Sequence, residues 1–441
     1  MSWCIEKEYI YEEIPSQLNI FRLNFVMITN QEDLQALIRR AKTVDAVALD
    51  TEFFWERTYY PKLGLIQLAL SNEECFLIDP CALTDLSPLG ELLGDPAVVK
   101  IFHDAPQDLS ILYHATGVLP KNIFDTRLAS GFAGLSSTIS LGNLINELLD
   151  IDLPKTETRT NWLRRPLHQK QIEYALDDVR YLRAIRVLLL SRILTQTVKS
   201  WLQEDLDRYD DPDFYKPPAD KNRYLKIKGA GTLSRQSLAS LQLLAAWREQ
   251  EARKRNRPRG HIITDQTLLL LAAKQIESTE EMGLCKIITK YTIEQYGQQL
   301  ITLIKKGLLC PEKNCPPSLH KNKLNKREQE ELKKLQEYIT LKSDVHGLDP
   351  SLISNTSELR TLIQIQNHNG ASTEFIAVVA PVPIFGKRPP FNSTVMVSST
   401  SLQVFMSPRY KLRPGKAIKV SRPQRPNQGN PAIISVLPFR L

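Results

Sequence analysis

Short apolar stretches alternate with helical patterns through the first two hundred residues. Residues 45–51 form an apolar, β-branched stretch that runs into Asp50 and Glu52, which predicts a buried strand with acids at its exit. Further strands are predicted at 63–70, 75–78 and 98–102, and helices at 31–41, 86–93, 108–114 and 141–149. Strands that alternate with helices predict an α/β sheet domain that extends to about residue 200.

Longer helical patterns follow this alternation. Apolar residues recur every three or four positions from 168 to 194, which predicts one long helix with an apolar face. Residues 203–232 are acidic and then rich in Pro, Tyr and Lys, as expected of a linker that packs on its neighbours. A second helical unit is predicted over 233–310, where Asp265 is a candidate N-cap. A weaker helical region extends over 311–366.

The last segment, 367–441, has a different character. Ten prolines fall between Pro381 and Pro438, and helical periodicity disappears. Residues 371–441 contain ten Lys or Arg and a single acid, Glu374, so the tail accounts for the net charge of +8. We predict a basic, Pro-rich tail that is largely disordered, with isolated strands at most.

Composition restricts the class of protein. The chain has 441 residues, 42% hydrophobic and 24% charged, as in ordinary globular proteins. No apolar run reaches the roughly 18 residues that span a bilayer, and four glutamates in the first 13 residues are unlike the start of a signal peptide. We therefore expect a cytoplasmic protein without membrane contact. Cys310, Cys315 and His320 lack a paired Cys-x-x-Cys, and no zinc site is expected there.

The first chemical signal is the pair Asp50 and Glu52. Residues two apart on a strand point to the same face, and two adjacent carboxylates repel each other unless a cation lies between them. Carboxylate oxygens are the ligands that Mg²⁺ and Mn²⁺ prefer. The pair alone is weak evidence, because a solvated strand end has the same pattern. Asp108 follows the strand at 98–102 and lies inside the next helix, where Asp104 is the better candidate for the cap.

The second signal is Tyr174 followed by Asp178. Positions i and i+4 share one face of a helix, so the tyrosine hydroxyl and the carboxylate would lie side by side. Asp177 lies about 100° around the helix and is interpreted as solvated or structural. Four carboxylates and a tyrosine from three segments are the set required for two-metal phosphodiester hydrolysis, with Tyr174 orienting or deprotonating the attacking water.

Several segments resemble the ribonuclease D family, in the family's order. The similar segments are Ala48-Leu49-Asp50-Thr51-Glu52-Phe53, Thr58-Tyr59-Tyr60-Pro61-Lys62-Leu63-Gly64-Leu65-Ile66-Gln67-Leu68, His103-Asp104-Ala105-Pro106-Gln107-Asp108-Leu109, Lys155-Thr156-Glu157-Thr158-Arg159-Thr160-Asn161-Trp162 and Tyr174-Ala175-Leu176-Asp177-Asp178-Val179-Arg180-Tyr181-Leu182. The resemblance covers roughly residues 26–310. The family pattern begins near Met27, which makes 1–26 an N-terminal extension and 27–202 the exonuclease domain.

The resemblance implies a ribonuclease H-like fold and the DEDD type of exonuclease site. It implies that Asp50, Glu52, Asp108 and Asp178 bind two divalent cations, Mg²⁺ or Mn²⁺, and that Tyr174 positions the water. A tyrosine four residues before the last Asp is typical of the tyrosine branch of these enzymes. The expected activity is 3′–5′ trimming of precursor tRNA and other small structured RNAs by a monomer, with release of 5′-mononucleotides.

The helical unit over 233–310 resembles an HRDC domain, a small bundle shared with RecQ-type helicases. The similar residues are Ala246-Trp247-Arg248-Glu249, Asn256-Arg257-Pro258-Arg259 and Asp265. The resemblance implies help in binding nucleic acid, and a packing or assembly role is the alternative. Residues 348–353 with Glu358 and Leu359 resemble the middle of a second, degenerate HRDC unit, whose ending is replaced by the tail.

RNA contacts are the least determined part of the prediction. Candidates near the acids are Phe53, Tyr59, Tyr60, Gln67 and His103, by stacking on bases or by polar contacts. Core packing explains Phe53 and Tyr60 equally well. In the HRDC-like unit, phosphate contacts are expected from Lys254, Arg255, Arg257 and Arg259. Trp162 and Arg165 are candidates for the wall of the 3′-end pocket.

Two other functions remain open at this point. The first is a 3′–5′ exonuclease that acts on DNA, since the choice of RNA comes from the resemblance alone. The second is an RNA-binding adaptor without catalysis, although all five expected catalytic positions are occupied. A helicase is disfavoured because the sequence has no Walker-type Gly-rich loop.

Overall fold

A computed structural model describes residues 25–153, 160–284, 288–319, 324–368, 375–379 and 394–398. Most of the predicted N-terminal extension, the stretch Lys155–Arg159 of the family resemblance, His320 and most of the Pro-rich tail lie outside these residues. Among the described residues, no helix has both the length and the apolar character needed to cross a membrane.

A mixed six-stranded sheet is the centre of the first domain. Its strands are β1 (Phe25–Ile28), β2 (Ala46–Phe54), β3 (Lys62–Ala69), β4 (Cys75–Ile78), β5 (Val99–Phe102) and β6 (Ile123–Asp125). They lie in the order β1-β4-β3-β2-β5-β6, and β3 is antiparallel to both of its neighbours while the other pairs are parallel. The central strands are almost continuously apolar because both faces are covered.

Helices cover the sheet. Those of the first domain are α1 (Gln31–Ala41), α2 (Ser87–Gly94), α3 (Pro106–Thr116), α4 (Thr126–Phe132), α5 (Leu141–Leu149), α6 (Gln169–Arg180), α7 (Leu182–Arg192) and α8 (Gln196–Leu206). The prediction of an α/β sheet domain is confirmed. The prediction of one helix from 168 to 194 is wrong, because α6 ends and α7 begins at Tyr181. This break lets α6 pack on β2, β3 and β4 while α7 packs on β2 and β5.

The segment predicted as a linker is packed against both domains. Short 3-10 turns occupy Asp207–Asp210, Pro212–Tyr215, Asp220–Lys226 and Ala230–Thr232. Tyr209 is buried in the core of the α/β domain, whereas Tyr224 and Ile227 are buried in the core of the helical unit that follows.

That second unit is entirely helical within the described residues, as predicted. It contains α9 (Arg235–Arg255), α10 (Arg259–Ile262), α11 (Asp265–Lys274), α12 (Thr279–Leu284) and α13 (Lys290–Leu308). Asn256, in the left-handed conformation, ends α9, and α10 begins three residues later at Arg259. Asp265 is not the cap of α11: Thr264 caps it, and Asp265 instead pairs with Arg248 at 2.6 Å.

The C-terminal helices return to the α/β domain. They are α14 (Lys326–His346) and α15 (Thr356–His368), joined by a 3-10 turn at Pro350–Leu352. The backbone N–H of Asp349 donates to the carbonyl oxygen of Gly131 at 2.9 Å, and its carboxylate accepts from the backbone N–H of Ser137 at 2.5 Å. In the described part of the tail, Phe375–Val379 (β7) and Thr394–Ser398 (β8) form an antiparallel pair, which fits the prediction of isolated strands.

Candidate active site

Two acids of the site lie on the central strand β2. Asp50 and Glu52 are two residues apart, and a β-bulge follows between Glu52 and Phe53. The strand alternation therefore places both carboxylates on one side of the sheet. Asp178 approaches them from α6, which packs across β2 and β3. One carboxylate oxygen from each of these three residues lies within 4.8 Å of the other two.

Asp108 reaches the same region from the first turn of α3. Its side chain is buried, and one of its oxygens accepts a hydrogen bond from the hydroxyl of Thr51, the residue between Asp50 and Glu52. The negative charge of Asp108 contributes to the raised pKa values of Asp50 and Glu52. The structure therefore brings all four predicted acids together.

Tyr174 lies one helical turn before Asp178 and shares its face of α6. Its hydroxyl is hydrogen-bonded to the Asp178 carboxylate. Burial, followed by the charges of Asp178 and Glu52, raises the pKa of Tyr174, so the phenol stays protonated at neutral pH. The Trp162 ring lies 6.2 Å from the Tyr174 ring and is itself buried.

The electrostatics of the cluster are unfavourable without cations. Burial is the main cause that raises the pKa of Asp108 and of Asp178 to about 7. Burial and the charges of Asp178 and Asp108 raise the pKa of Glu52 to about 9, and the pKa of Asp50 is also raised well above its ordinary value. Carboxylates held together in this way favour either protons or hard divalent cations, which take oxygen ligands. The residues present thus fit a divalent metal site.

Two other acids near the cluster have separate partners. Asp177 lies 3.3 Å from Arg180, in agreement with its predicted structural role. Asp104 is not the cap of α3, as the sequence had suggested: Ala105 occupies the cap position, and the Asp104 carboxylate pairs with Arg127. Asp104 has a positive φ of 65°, an uncommon conformation for a residue other than glycine.

Two predicted RNA contacts, Gln67 and His103, make contacts within the protein. Gln67 pairs in register with Asp50 across β2 and β3, and its side chain is fully buried. The ring of His103 lies between the Thr126 hydroxyl at 2.9 Å and the Ile139 carbonyl oxygen at 3.2 Å. Burial lowers the pKa of His103 to about 4, so the ring is neutral. Because the Gln67 side chain is fully buried, its predicted contact with RNA is corrected to a packing role. His103 is partly exposed, and its contact with RNA stays a prediction.

Tyr59 and Arg259 meet each other at the interface between the two domains. The Tyr59 hydroxyl donates to Glu249 Oε1 at 2.5 Å, Arg259 Nη2 donates to the same oxygen at 2.8 Å, and Arg223 lies 2.5 Å from it. Burial opposes the charge of Glu249, but the hydrogen bonds from Arg259 and Tyr59 outweigh it and hold the pKa at about 2. Asn256 accepts the backbone N–H of Tyr59 at 3.0 Å. The side chains of Tyr59 and Arg259 therefore join the domains.

The remaining candidates differ in exposure. Arg257 is exposed on the second domain, as are Lys254 and Arg255, and the Arg255 side chain pairs with Glu251. The partly buried Phe53 ring contacts the exposed Trp55 ring at 6.4 Å between centroids, and Tyr60 stacks on His114 at 4.8 Å. Arg165 is bound to Asp79 at 2.6 Å and to the carbonyl oxygen of Gly64 at 2.7 Å.

Sequence reasoning missed several residues that support the acids. Thr51 was missed because the strand alternation predicts that it lies on the opposite face from Asp50 and Glu52. Asp125 accepts the backbone N–H groups of Asp104 and Ala105 and the hydroxyl of Tyr209, and no local motif marks such contacts. Glu249 was visible only as part of the HRDC-like signature.

Comparisons with known proteins show which families the chain is similar to. A family profile described as 3′–5′ exonuclease matches residues 25–193, and one described as HRDC domain matches residues 237–304. A ribonuclease D of Desulfotalea psychrophila is 52% identical over 338 residues, which cover 77% of this chain and 90% of that protein. A ribonuclease D of Escherichia coli is 32% identical over 344 residues, with the same two coverages of 77% and 90%.

Solved structures give the same result. The crystal structure of E. coli RNase D, described as an exoribonuclease involved in structured RNA processing, superimposes with a TM-score of 0.67 at 31% identity. The match covers 80% of this chain and 93% of that one. The catalytic core of RRP6 from Trypanosoma brucei, at 20% identity and a TM-score of 0.53, shares the fold.

Proposed function

The chain belongs to the ribonuclease D family, and on that basis we propose that it trims the 3′ ends of precursor tRNAs and other small structured RNAs. It is a hydrolytic 3′–5′ exoribonuclease, which removes one nucleotide at a time. The observation that carries the proposal is the convergence of Asp50, Glu52 and Asp178 within 4.8 Å, with Asp108 beside them.

The four carboxylates are proposed to hold two divalent cations, Mg²⁺ or Mn²⁺. When bound, such cations make water nucleophilic and stabilise charge on the attacking and leaving oxygens of a phosphodiester. Asp50 is central in this arrangement, because its charge interacts with those of Asp108, Asp178 and Glu52. The two cations would replace the protons that the raised pKa values otherwise favour.

Tyr174 is proposed to orient the attacking water. Its hydroxyl lies beside Asp178, and its raised pKa keeps it a hydrogen-bond donor and acceptor, not a base. The water oxygen forms a bond to the last phosphorus, and the bond from that phosphorus to the 3′ oxygen of the preceding nucleotide breaks. That oxygen takes up a proton and becomes the new 3′ hydroxyl, while the product leaves as a 5′-mononucleotide.

The other segments are assigned from the resemblance to the family. We propose 27–202 as the exonuclease domain, 203–232 as a packed linker, 233–310 as the HRDC domain and 311–366 as a second HRDC-like region. Exposed basic side chains of the HRDC domain, Lys254 and Arg257 among them, would contact phosphates of the RNA body. We propose a cytoplasmic monomer.

A 3′-end trimming assay tests the proposal. A precursor tRNA labelled at its 5′ end is incubated with the protein and Mg²⁺, with or without chelator, beside a DNA of the same sequence. With Mg²⁺ and without chelator, we expect a ladder of shortened RNAs that all keep the 5′ label. The Asp50→Asn variant should give no ladder. Asp177→Asn is the matched control, because Asp177 neighbours the site but pairs with Arg180, and it should trim at the wild-type rate.

Three outcomes would contradict the proposal. Faster degradation of DNA would indicate a DNA exonuclease. Binding of RNA without shortening in any metal would indicate an RNA-binding adaptor. Wild-type trimming by Asp50→Asn would show that the assigned acids do not form the active site.

A further inference from the structure

The carboxylate of Asp125 accepts five hydrogen bonds from three separate segments. Asp125 ends β6, caps α4 and is almost fully buried. Its Oδ1 accepts the backbone N–H groups of Arg127 at 2.9 Å and Leu128 at 3.3 Å, which is ordinary helix capping. The other three bonds come from residues distant in sequence, so capping does not explain them.

Two of these bonds come from the turn that precedes the Asp108 helix. The backbone N–H of Asp104 donates to Asp125 Oδ1 at 3.0 Å, and that of Ala105 donates to Oδ2 at 3.1 Å. Ala105 occupies the cap position of α3 and has no side chain that could cap the helix. Asp125 thus accepts, from β6, the two backbone N–H groups that immediately precede α3, and it holds the left-handed turn at Asp104.

The fifth bond comes from the segment between the two domains. The Tyr209 hydroxyl donates to Asp125 Oδ2 at 2.8 Å, and both residues are buried. The Tyr215 hydroxyl donates to the carbonyl oxygen of Tyr209 at 2.7 Å, and its ring lies 5.0 Å from that of Tyr113 on α3. This segment therefore contacts α3 near its end and, through Asp125, at its start.

We propose that Asp125, supported by Tyr209, is a positioning residue that fixes Asp108 for metal binding. The inference rests on the proposed function, in which Asp108 is one of four metal-binding carboxylates. Asp108 lies three residues beyond Ala105 in the first helical turn, so the position of that turn decides where the Asp108 carboxylate lies. Asp125 itself is bonded to backbone and phenol donors, and its role is exerted through α3.

All five partners of the Asp125 carboxylate are hydrogen-bond donors, so replacing one of its oxygens with a donor group should disturb the contacts. An asparagine has the shape of aspartate but replaces one oxygen with an N–H₂ group. In either orientation that group faces a backbone N–H of the 104–105 turn, and two donors repel each other. Asp125→Asn should therefore displace the turn without removing any volume.

The test measures the metal requirement as well as the rate. Trimming of a labelled RNA is followed over a range of Mn²⁺ concentrations for wild type, Asp125→Asn and Tyr209→Phe, with Tyr224→Phe as control. Tyr224 is a buried tyrosine of the second core, and its variant loses the same hydroxyl. Supporting contacts of metal ligands are typically worth about 10–100-fold in metal affinity or activity. We expect a shift of that size for Asp125→Asn in half-activating Mn²⁺ concentration.

Tyr209→Phe removes one of the five bonds and should raise the half-activating Mn²⁺ concentration about threefold, as a single hydrogen bond is lost. KM for RNA should change little in either variant, and Tyr224→Phe should match wild type. A purely structural role would lower the amount of folded enzyme without changing the Mn²⁺ requirement of the folded fraction. If Asp125→Asn fails to fold, Tyr209→Phe decides alone.

Asp108→Asn separates failure of this inference from failure of the proposed function. If Asp108→Asn is inactive while Asp125→Asn and Tyr209→Phe keep the wild-type Mn²⁺ requirement, the positioning role is wrong and the active site stands. If Asp108→Asn trims RNA like wild type, the site assignment itself is wrong.

Discussion

Addition of Mg²⁺ to the chelator-treated protein should release protons from the acidic cluster. Without cations, burial raises the pKa of Asp108 and Asp178 to about 7 and, with neighbouring charge, that of Glu52 to about 9. At pH 7 the cluster therefore retains part of its protons. Cations require ionised carboxylates, so their binding should displace roughly two protons or more, shared among coupled groups that include Asp50.

The same reasoning predicts how stability depends on pH. The pKa of Asp108 is about 7 in place of 3.8, and at about 1.4 kcal/mol for each pKa unit its ionisation in the fold costs about 4 kcal/mol. Because the folded pKa is raised, this cost is absent below pH 4 and develops as the pH rises towards 7. The cation-free protein should therefore lose stability between about pH 4 and pH 9, and Mg²⁺ should restore it most at high pH.

Calorimetry measures both effects. Mg²⁺ is titrated at pH 7 into the protein in two buffers that differ in protonation enthalpy, and the difference in heat gives the number of protons. Thermal unfolding at pH 6 and pH 9, with and without Mg²⁺, gives the stability. Asp178→Asn should release fewer protons, while its neighbour variant Asp177→Asn, which removes only a charge that helps to raise the pKa of Asp178, should release nearly as many as wild type. Heats that are independent of buffer, together with equal Mg²⁺ stabilisation at both pH values, would refute the reasoning.

Three further predictions concern the supports of the site. Tyr174→Phe should lower kcat about 100-fold or more, as expected when a group that orients water is lost. Mn²⁺ binding, measured by calorimetry, should stay within a few-fold of wild type. An unchanged kcat would exclude Tyr174 from the reaction. Glu249→Gln leaves Arg223 and Arg259 without their anion, so the free energy of unfolding should fall by about 2–3 kcal/mol in denaturant titration, and no change would show that this cluster does not join the domains. Gly64→Ala would place a methyl carbon 2.8 Å from Trp162 Cβ and should cost about 1–3 kcal/mol of stability and slow trimming; a variant as stable and active as wild type would contradict that packing.

Two pairs of site residues were predictable because local geometry brings the members of each pair together. Asp50 and Glu52 share a strand face through a period of two, and Tyr174 and Asp178 share a helix face through a spacing of four. The alternation of strands and helices indicated the sheet on which they meet. Many helix and strand positions followed from the apolar pattern, but β1, β6 and α4 were not predicted, and the long helix breaks at Tyr181 with no Pro or Gly to mark it.

The supports of the site depend on contacts between distant segments. Tyr59 and Arg259 are predicted RNA contacts, and that role stays a prediction; 200 positions separate them, and only the fold shows that both meet Glu249. Gln67 is polar, yet its register opposite Asp50 places it inside the sheet domain. Asp125 acts through the backbone of 104–105, which has no signature in side chains. Tertiary contact decided each of these cases, and local sequence could not.

Anomalous diffraction from crystals of the active protein soaked in Mn²⁺ tests the central claim most directly. The account predicts two manganese peaks bounded by the carboxylates of Asp50, Glu52, Asp108 and Asp178, and their loss in Asp50→Asn crystals. Peaks elsewhere, or none at a Mn²⁺ concentration that supports full trimming activity, would contradict it.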